Sequence, residues 1–153
     1  MNILENRIPP PIVMLIFGAI MWMVSPGVPK FEEVGTVRML AMIGSILAAS
    51  FFSAAGVLAF RKAKTTVNPL KPDSASAMVS TGVYRMSRNP MYVGFLLLLV
   101  AWGFYLFNVW AFLGVVGFVA YINRFQIVPE ERAMLKLFGS EFERYSNSVR
   151  RWI

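Results

Sequence analysis

Long apolar runs alternate with short basic, turn-rich segments along the whole chain. Residues 1–7 are polar, Ile8-Pro9-Pro10-Pro11 opens an apolar run that reaches Val24, and Ser25-Pro26-Gly27 breaks it. Residues 39–60 carry no charge, and Arg61, Lys62, Lys64 and Lys71 follow in a polar stretch containing Asn68-Pro69 and Lys71-Pro72-Asp73. Two more apolar runs, 91–107 and 109–128, are divided by Asn108. About 20 apolar residues carry a helix across a bilayer. The pattern therefore predicts an all-α integral membrane protein in one domain over 1–153, with spans at approximately 9–25, 38–60, 91–107 and 109–128 and a cytoplasmic loop at 61–90. The first run is barely long enough. A re-entrant segment is its alternative, and a signal peptide fits less well because the prolines precede the apolar core and no small-residue cleavage pattern follows it.

The tail changes character. Pro129-Glu130-Glu131 has the chemistry of a helix start, with proline first and acids in the first turn, and Gly139 is placed to end that helix. Ser140 with Glu143 reads as a capping box for a last helix. On it Phe142, Tyr145, Val149 and Trp152 recur at three- and four-residue spacing, predicting an amphipathic helix on the membrane or across a site. Two short cytoplasmic or interfacial helices are thus expected at 129–138 and 141–152. Within 39–60, Gly44, Ala48 and Gly56 form one small-residue stripe and Ala41, Ser45, Ala49 and Ser53 the next, which points to close packing against another helix.

Composition supports the membrane reading: 57% of the 153 residues are hydrophobic, above the half or so of a soluble domain. The net charge of +7 does not indicate nucleic acid, because the basic residues flank apolar runs. With both termini in the cytoplasm, thirteen of the fifteen Lys and Arg lie inside and only Lys30 and Arg38 outside. Cysteine and histidine are absent, which excludes thiol nucleophiles, thiolate metal sites and the commonest general base; no metal is expected. Chemistry here rests on carboxylates, Tyr, Lys, Arg or backbone, and suits a donor that arrives already activated.

The chemistry-bearing residues gather where the basic loop meets the third apolar run: Tyr84, Arg85, Arg88, Asn89, Pro90, Tyr92 and Gly94. Pro90 suits the first position of a helix, whose free N–H groups and partial positive charge, with Arg85 and Arg88, favour an anion at the membrane surface. The plainer reading makes the arginines interfacial anchors and the tyrosines an aromatic belt. Asn123, Arg124 and Gln126 lie near the end of the fourth run, facing the protein interior, water or headgroups; for Arg124, snorkelling to the interface is sufficient.

Gly82, Tyr84, Arg85, Arg88, Asn89, Pro90, Tyr92 and Gly94, then a helical hairpin, then Glu130, Glu131, Phe138, Gly139, Tyr145, Val149, Arg150, Arg151 and Trp152 together resemble the isoprenylcysteine carboxyl methyltransferase family, which is related to the phospholipid N-methyltransferases. Thr65 to Pro69 is similar to the family's lead-in, so the resemblance runs from about Thr65 to Ile153. Asn89 stands where eukaryotic members carry His, and it cannot titrate near neutrality. The resemblance implies a membrane methyltransferase using S-adenosylmethionine, with S-adenosylhomocysteine as product and a lipophilic acceptor or lipid entering from the bilayer. It would sit in a prokaryotic cell membrane with the site facing the cytoplasm. Arg85, Arg88 and Asn89 would bind the methionyl carboxylate or an acidic substrate. Tyr84, Asn89, Pro90, Tyr92, Gly94, Glu130 and Glu131 would form the cofactor pocket. Arg124, Tyr145, Arg150 and Arg151 would meet substrate or close the site. The acceptor and the oligomeric state stay open. Two other readings are an NADPH-dependent sterol-type reductase, which usually has an acid after the motif glycine where this chain has Phe95, and a non-catalytic membrane adaptor.

Overall fold

A computed structural model describes residues 5–25, 35–63 and 77–153. Lys30, Glu32, Glu33 and the lead-in from Thr65 to Pro69 fall outside the described residues. The described chain is helical: α1 Pro10–Met23, α2 Thr36–Lys62, a 3₁₀ turn Gly82–Arg85, α3 Pro90–Leu106, a 3₁₀ turn Val109–Ala111, α4 Phe112–Ile122, a π-turn Asn123–Ile127, α5 Val128–Phe138 and α6 Ser140–Ser148. Two helical runs, Thr36–Lys62 and Val109–Phe138, are long and apolar enough to cross a membrane. The expected first and third spans are shorter apolar helices of 14 and 17 residues.

The closest helix contact follows from small side chains. A Cβ on Gly94 would lie 2.1 Å from Ser53 Oγ and 3.1 Å from the Ala49 carbonyl, and one on Gly56 would lie 2.9 Å from Met91 Cγ. The stripe of Ala49 and Ser53, with Gly56, is therefore the surface on which α3 rests, whereas Gly44 has nothing within 4 Å of its Cβ position. Gly94→Ala should force α2 and α3 apart and destabilise the protein by about 1–3 kcal/mol. Adding Ser53→Gly removes the worst collision and should recover part of the loss in a thermal melt; equal melting of Gly94→Ala and wild type would contradict the packing.

Helices α3 and α4 form the expected hairpin. Phe107 ends α3 at φ 49°, and the Asn108 side chain accepts the Trp110 N–H at 2.9 Å while donating to the Val24 carbonyl at 3.1 Å. That bond ties the end of α1 to the turn. The start of α1 is tied to the other end of α4: the Asn6 N–H reaches the Phe125 carbonyl at 3.0 Å, and Gln126 Nε2 reaches the Ile8 carbonyl at 2.8 Å. Helix α1 thus runs antiparallel along α4, with Met21 and Phe17 filling the space above Gly114 and Gly117.

Two elements differ from the sequence expectation. The helix at 109–128 does not stop before Pro129: it continues through the π-turn into α5. Proline lacks an N–H and crowds the carbonyl four residues back. The wider π-turn accommodates this, and that carbonyl, on Phe125, takes the Asn6 N–H instead. At about 1.5 Å per residue the run to Phe138 exceeds a hydrocarbon core of about 30 Å, so α5, with its Glu130-Glu131 start, lies beyond the apolar part.

The expected helix at 141–152 ends at Ser148, and 149–153 form an extended strap. β-Branched Val149 takes φ −129°, ψ 135°, and the strap's carbonyls find side-chain and backbone donors on another element. The capping box does not form either. Gly139, at φ 49°, occupies the cap position, and its own carbonyl accepts the Glu143 N–H.

Candidate active site

The strap is held at the mouth of α3. Arg88 donates its backbone N–H to the Arg150 carbonyl at 2.9 Å, and Nη1 to the carbonyls of Ser146 and, at 3.0 Å, Val149. Its Nη2 meets Glu131 Oε1 at 2.7 Å. Asn89 Nδ2 and Ser87 Oγ both donate to the Arg151 carbonyl, at 2.9 and 3.2 Å. Ser87 Oγ also accepts the Asn89 N–H at 3.0 Å, so this buried serine orders the turn before Pro90. Arg151 returns to Glu131, with Nε at 3.0 and 3.1 Å and Nη2 at 2.6 Å from the carboxylate oxygens. Glu131 is thus clamped between two guanidinium groups, and it holds the Arg151 cation charged more firmly than usual. Trp152 Nε1 donates to Asn123 Oδ1 at 3.1 Å, fixing the strap's end to the π-turn.

Glu130 points elsewhere. Adjacent residues on a helix do not face the same way. The Tyr92 hydroxyl donates to Glu130 Oε1 in a short hydrogen bond. Burial is the main cause of an upward shift of the Glu130 carboxyl to about 8, and the neighbouring Glu131 charge adds to it. Among the described residues no cation pairs with Glu130. Tyr84 is buried beside this pair, its ring edge-on to Phe60 at 5.5 Å and its carbonyl accepting the Tyr145 hydroxyl at 2.7 Å. Burial raises the phenol pKa values of both Tyr84 and Tyr145.

The geometry therefore joins Arg88, Asn89, Glu131 and Arg151 in one network and Tyr92 with Glu130 in a second beside it, while the Tyr145 hydroxyl is spent on the Tyr84 carbonyl. Pro90 is buried at the start of α3, and Gly94 faces α2 one turn further on. Arg85 is exposed and makes no hydrogen bond or ion pair among the described residues; the Arg150 side chain is likewise exposed, with only its carbonyl engaged. Arg124 stands apart: with Arg132 it holds Glu5 Oε1, at 3.2 and 2.9 Å, and these hydrogen bonds keep the Glu5 carboxyl below its ordinary range. Sequence reasoning missed Ser87 and Glu5 altogether. Asn123 and Gln126 were visible as polar residues at depth, but their partners, Trp152 and the Ile8 carbonyl, were not. An open apolar groove of about 450 Å³ runs along the contact between α1 and α3 in the half of the bundle away from Arg88, lined by Met14, Gly18, Trp22, Leu99 and Trp102 among others; Trp102 Nε1 bridges it to the Gly18 carbonyl at 3.0 Å.

Among the described residues these features define an all-helical architecture with two helices able to cross a membrane and a polar network at one end of the bundle. Residues 37–141, more than half of the chain, match the phospholipid methyltransferase family (PEMT), and the chain belongs to it. The matched stretch contains Arg85 to Gly94 and the Glu130-Glu131 pair. An uncharacterized protein of Haemophilus influenzae (strain ATCC 51907 / DSM 11121 / KW20 / Rd) is 48% identical over 63 residues, which cover 41% of this chain and 100% of that protein. No solved structure matches. The family is one of methyltransferases, and the apolar helices agree with a membrane setting.

Proposed function

We propose that the protein transfers a methyl group from S-adenosylmethionine to a lipophilic acceptor, at the cytoplasmic end of a four-helix bundle in a prokaryotic cell membrane. The observation that carries this reading is Glu130: a buried carboxyl hydrogen-bonded by Tyr92, with no cation beside it among the described residues, inside the family-matched stretch. A carboxyl left without a counter-charge suits a cationic ligand, and the cofactor has both an ammonium and a sulfonium. Arg85, exposed and without a partner among the described residues at the same mouth, suits the methionyl carboxylate. The donor set therefore fits the cofactor.

When bound, the cofactor supplies an activated methyl group, so the chain's task is to place donor and acceptor in line. Glu130 holds the cofactor's positive end, with Tyr92 fixing the carboxyl's orientation. Arg88 and Asn89 act on the strap, which they hold across the mouth, and the Arg88–Glu131–Arg151 network keeps water from that side. The acceptor's hydrocarbon portion lies against the bundle helices, and the open α1–α3 groove offers it an apolar surface. The short helices α1 and α3 complete the four spans, since α1 is tied to both ends of α4.

The test incubates membranes containing the protein with methyl-labelled S-adenosylmethionine. Label should enter the lipid-soluble fraction with the wild-type chain, and at least tenfold less with Glu130→Gln. Equal labelling by both would sink the assignment of Glu130, and no labelling above that of protein-free membranes would sink the activity.

A further inference from the structure

Where α1 begins beside the π-turn, one carboxylate oxygen serves two cations. Glu5 Oε1 accepts from Arg124 Nη1 at 3.2 Å and from Arg132 Nη2 at 2.9 Å. The acid lies inside and the cations outside: Glu5 keeps 9% of its side-chain surface exposed, Arg124 and Arg132 keep 51% and 50%. Arg7, two positions beyond Glu5, is exposed as well and has no ion pair among the described residues. Three arginines thus stand against one carboxylate, and no other acid among the described residues pairs with them.

Donors are left over on this open surface. Arg124 Nε and Nη2 have no hydrogen-bond partner among the described residues, and neither has Arg132 Nη1. The pair is also held in place. The Asn6 N–H is bound to the Phe125 carbonyl and the Ile8 carbonyl to Gln126 Nε2, so Glu5 cannot leave the π-turn without breaking both.

Depth places this surface at the headgroups. Residues 109–123 carry no charge, and fifteen positions at about 1.5 Å each set Arg124 about 22 Å along the helix from Val109, within a hydrocarbon core of about 30 Å. Its side chain reaches outward from that edge, as long basic side chains do, and meets Glu5 and Arg132 there. Behind it, Leu113, Val116 and Ala120 precede Arg124 at three- and four-residue spacing on α4, and all three are exposed. An apolar track along the helix therefore ends at a guanidinium group.

We propose that Arg124 and Arg132, held by Glu5, bind the phosphodiester of an anionic phospholipid in the leaflet on the side of the candidate active site. Their unused N–H groups meet the phosphate oxygens, and an acyl chain lies along Leu113, Val116 and Ala120. The surplus of positive charge favours an anionic headgroup over a zwitterionic one, whose own cation would face Arg7. The apolar track favours a lipid over a free anion.

The experiment measures lipid retained by the full chain in mild detergent, by native mass spectrometry, from an equimolar mixture of phosphatidylglycerol and phosphatidylcholine. Wild type should retain one phosphatidylglycerol per chain, preferred roughly tenfold or more. Arg7→Gln with Arg124→Gln, which leaves Glu5 its Arg132 partner, should lower that retention by a similar factor. Arg61→Gln with Lys62→Gln removes the same charge from the end of α2 and should leave it unchanged. Equal retention of the two lipids, unchanged retention in the Arg7/Arg124 variant, or an equal loss in the Arg61/Lys62 variant would overturn the proposal. Displacement of the lipid by millimolar inorganic phosphate would assign the arginines to a free anion and overturn it too. A second measurement needs no variant: the melting of delipidated wild type is followed as short-chain phosphatidylglycerol is added. Saturable stabilisation at one lipid per chain is expected, and no stabilisation, or the same stabilisation by short-chain phosphatidylcholine, would refute the site.

Discussion

Arg88→Ala should destabilise the protein by about 3–5 kcal/mol and release the chain beyond Ser148. That is the cost of removing one partner of a largely buried ion pair. Arg88 and Glu131 keep only 13% and 20% of their side-chain surface exposed, and Arg88 also satisfies carbonyls of the tail. Without the guanidinium, Glu131 keeps only the more exposed Arg151, and the carbonyls of Ser146 and Val149 lose their donor. Lysine should rescue little, since a single ammonium cannot reproduce the fork. The measurement is thermal or chemical unfolding in detergent, paired with trypsin cleavage after Arg150 and Arg151, which should accelerate in the variant. The double variant Arg88→Ala with Glu131→Ala should fall short of the sum of the two single losses, because each single change already breaks the shared pair. Strictly additive losses, or a tail that stays resistant to trypsin, would contradict this network.

The second large effect belongs to Glu130→Gln. If Glu130 holds the cofactor's positive end, replacing it removes a charge-assisted hydrogen bond worth about 1.5–3 kcal/mol, so affinity for S-adenosylmethionine should fall by roughly ten- to a hundredfold. The shifted carboxyl also predicts a pH signature. Glu130 titrates at about 8 in the folded protein against an ordinary value of 4.5. Between these values the native chain holds a proton that the unfolded chain has lost, so the stability contributed at Glu130 is complete below pH 4.5 and is lost as pH rises through 8. Gln cannot titrate, and the variant should lack that part of the slope. A cation bound against Glu130 at pH 7 should also expel about one proton, visible as a dependence of binding enthalpy on the buffer's ionisation enthalpy. Wild type and Glu130→Gln with the same stability slope between pH 5 and 8 would contradict the assigned state of the carboxyl.

Much of this arrangement was legible in the sequence, and particular residues show why the rest was not. The apolar runs located α1 to α4, and Asn108 located the hairpin turn, because these rest on local composition. The small residues Ala49 and Ser53 announced a close helix contact, though not that Gly94 would be its other half. The strap was misread because Phe142, Tyr145, Val149 and Trp152 keep a helical spacing that an extended segment can carry equally well. What decides the matter is Arg88, more than 50 positions earlier, and no spacing within the tail records it. The π-turn was hidden for a similar reason: Pro129 signalled a break, and the wider turn together with the distant Asn6 N–H at the Phe125 carbonyl accommodates a continuous helix. The Glu130-Glu131 pair could have been divided from sequence alone, since neighbours on a helix point about 100° apart. Their separate partners, Tyr92 for one and two arginines for the other, follow from that angle.

The central claim is that a cationic methyl donor binds at Glu130, and calorimetry on the detergent-purified chain tests it most directly. S-adenosylmethionine, S-adenosylhomocysteine and NADPH would be titrated in parallel into wild type and Glu130→Gln at pH 7. The account predicts saturable binding of the first two by wild type, proton release with S-adenosylmethionine, and at least tenfold weaker binding of it by the variant. Binding of NADPH alone, or unchanged S-adenosylmethionine affinity in Glu130→Gln, would contradict it.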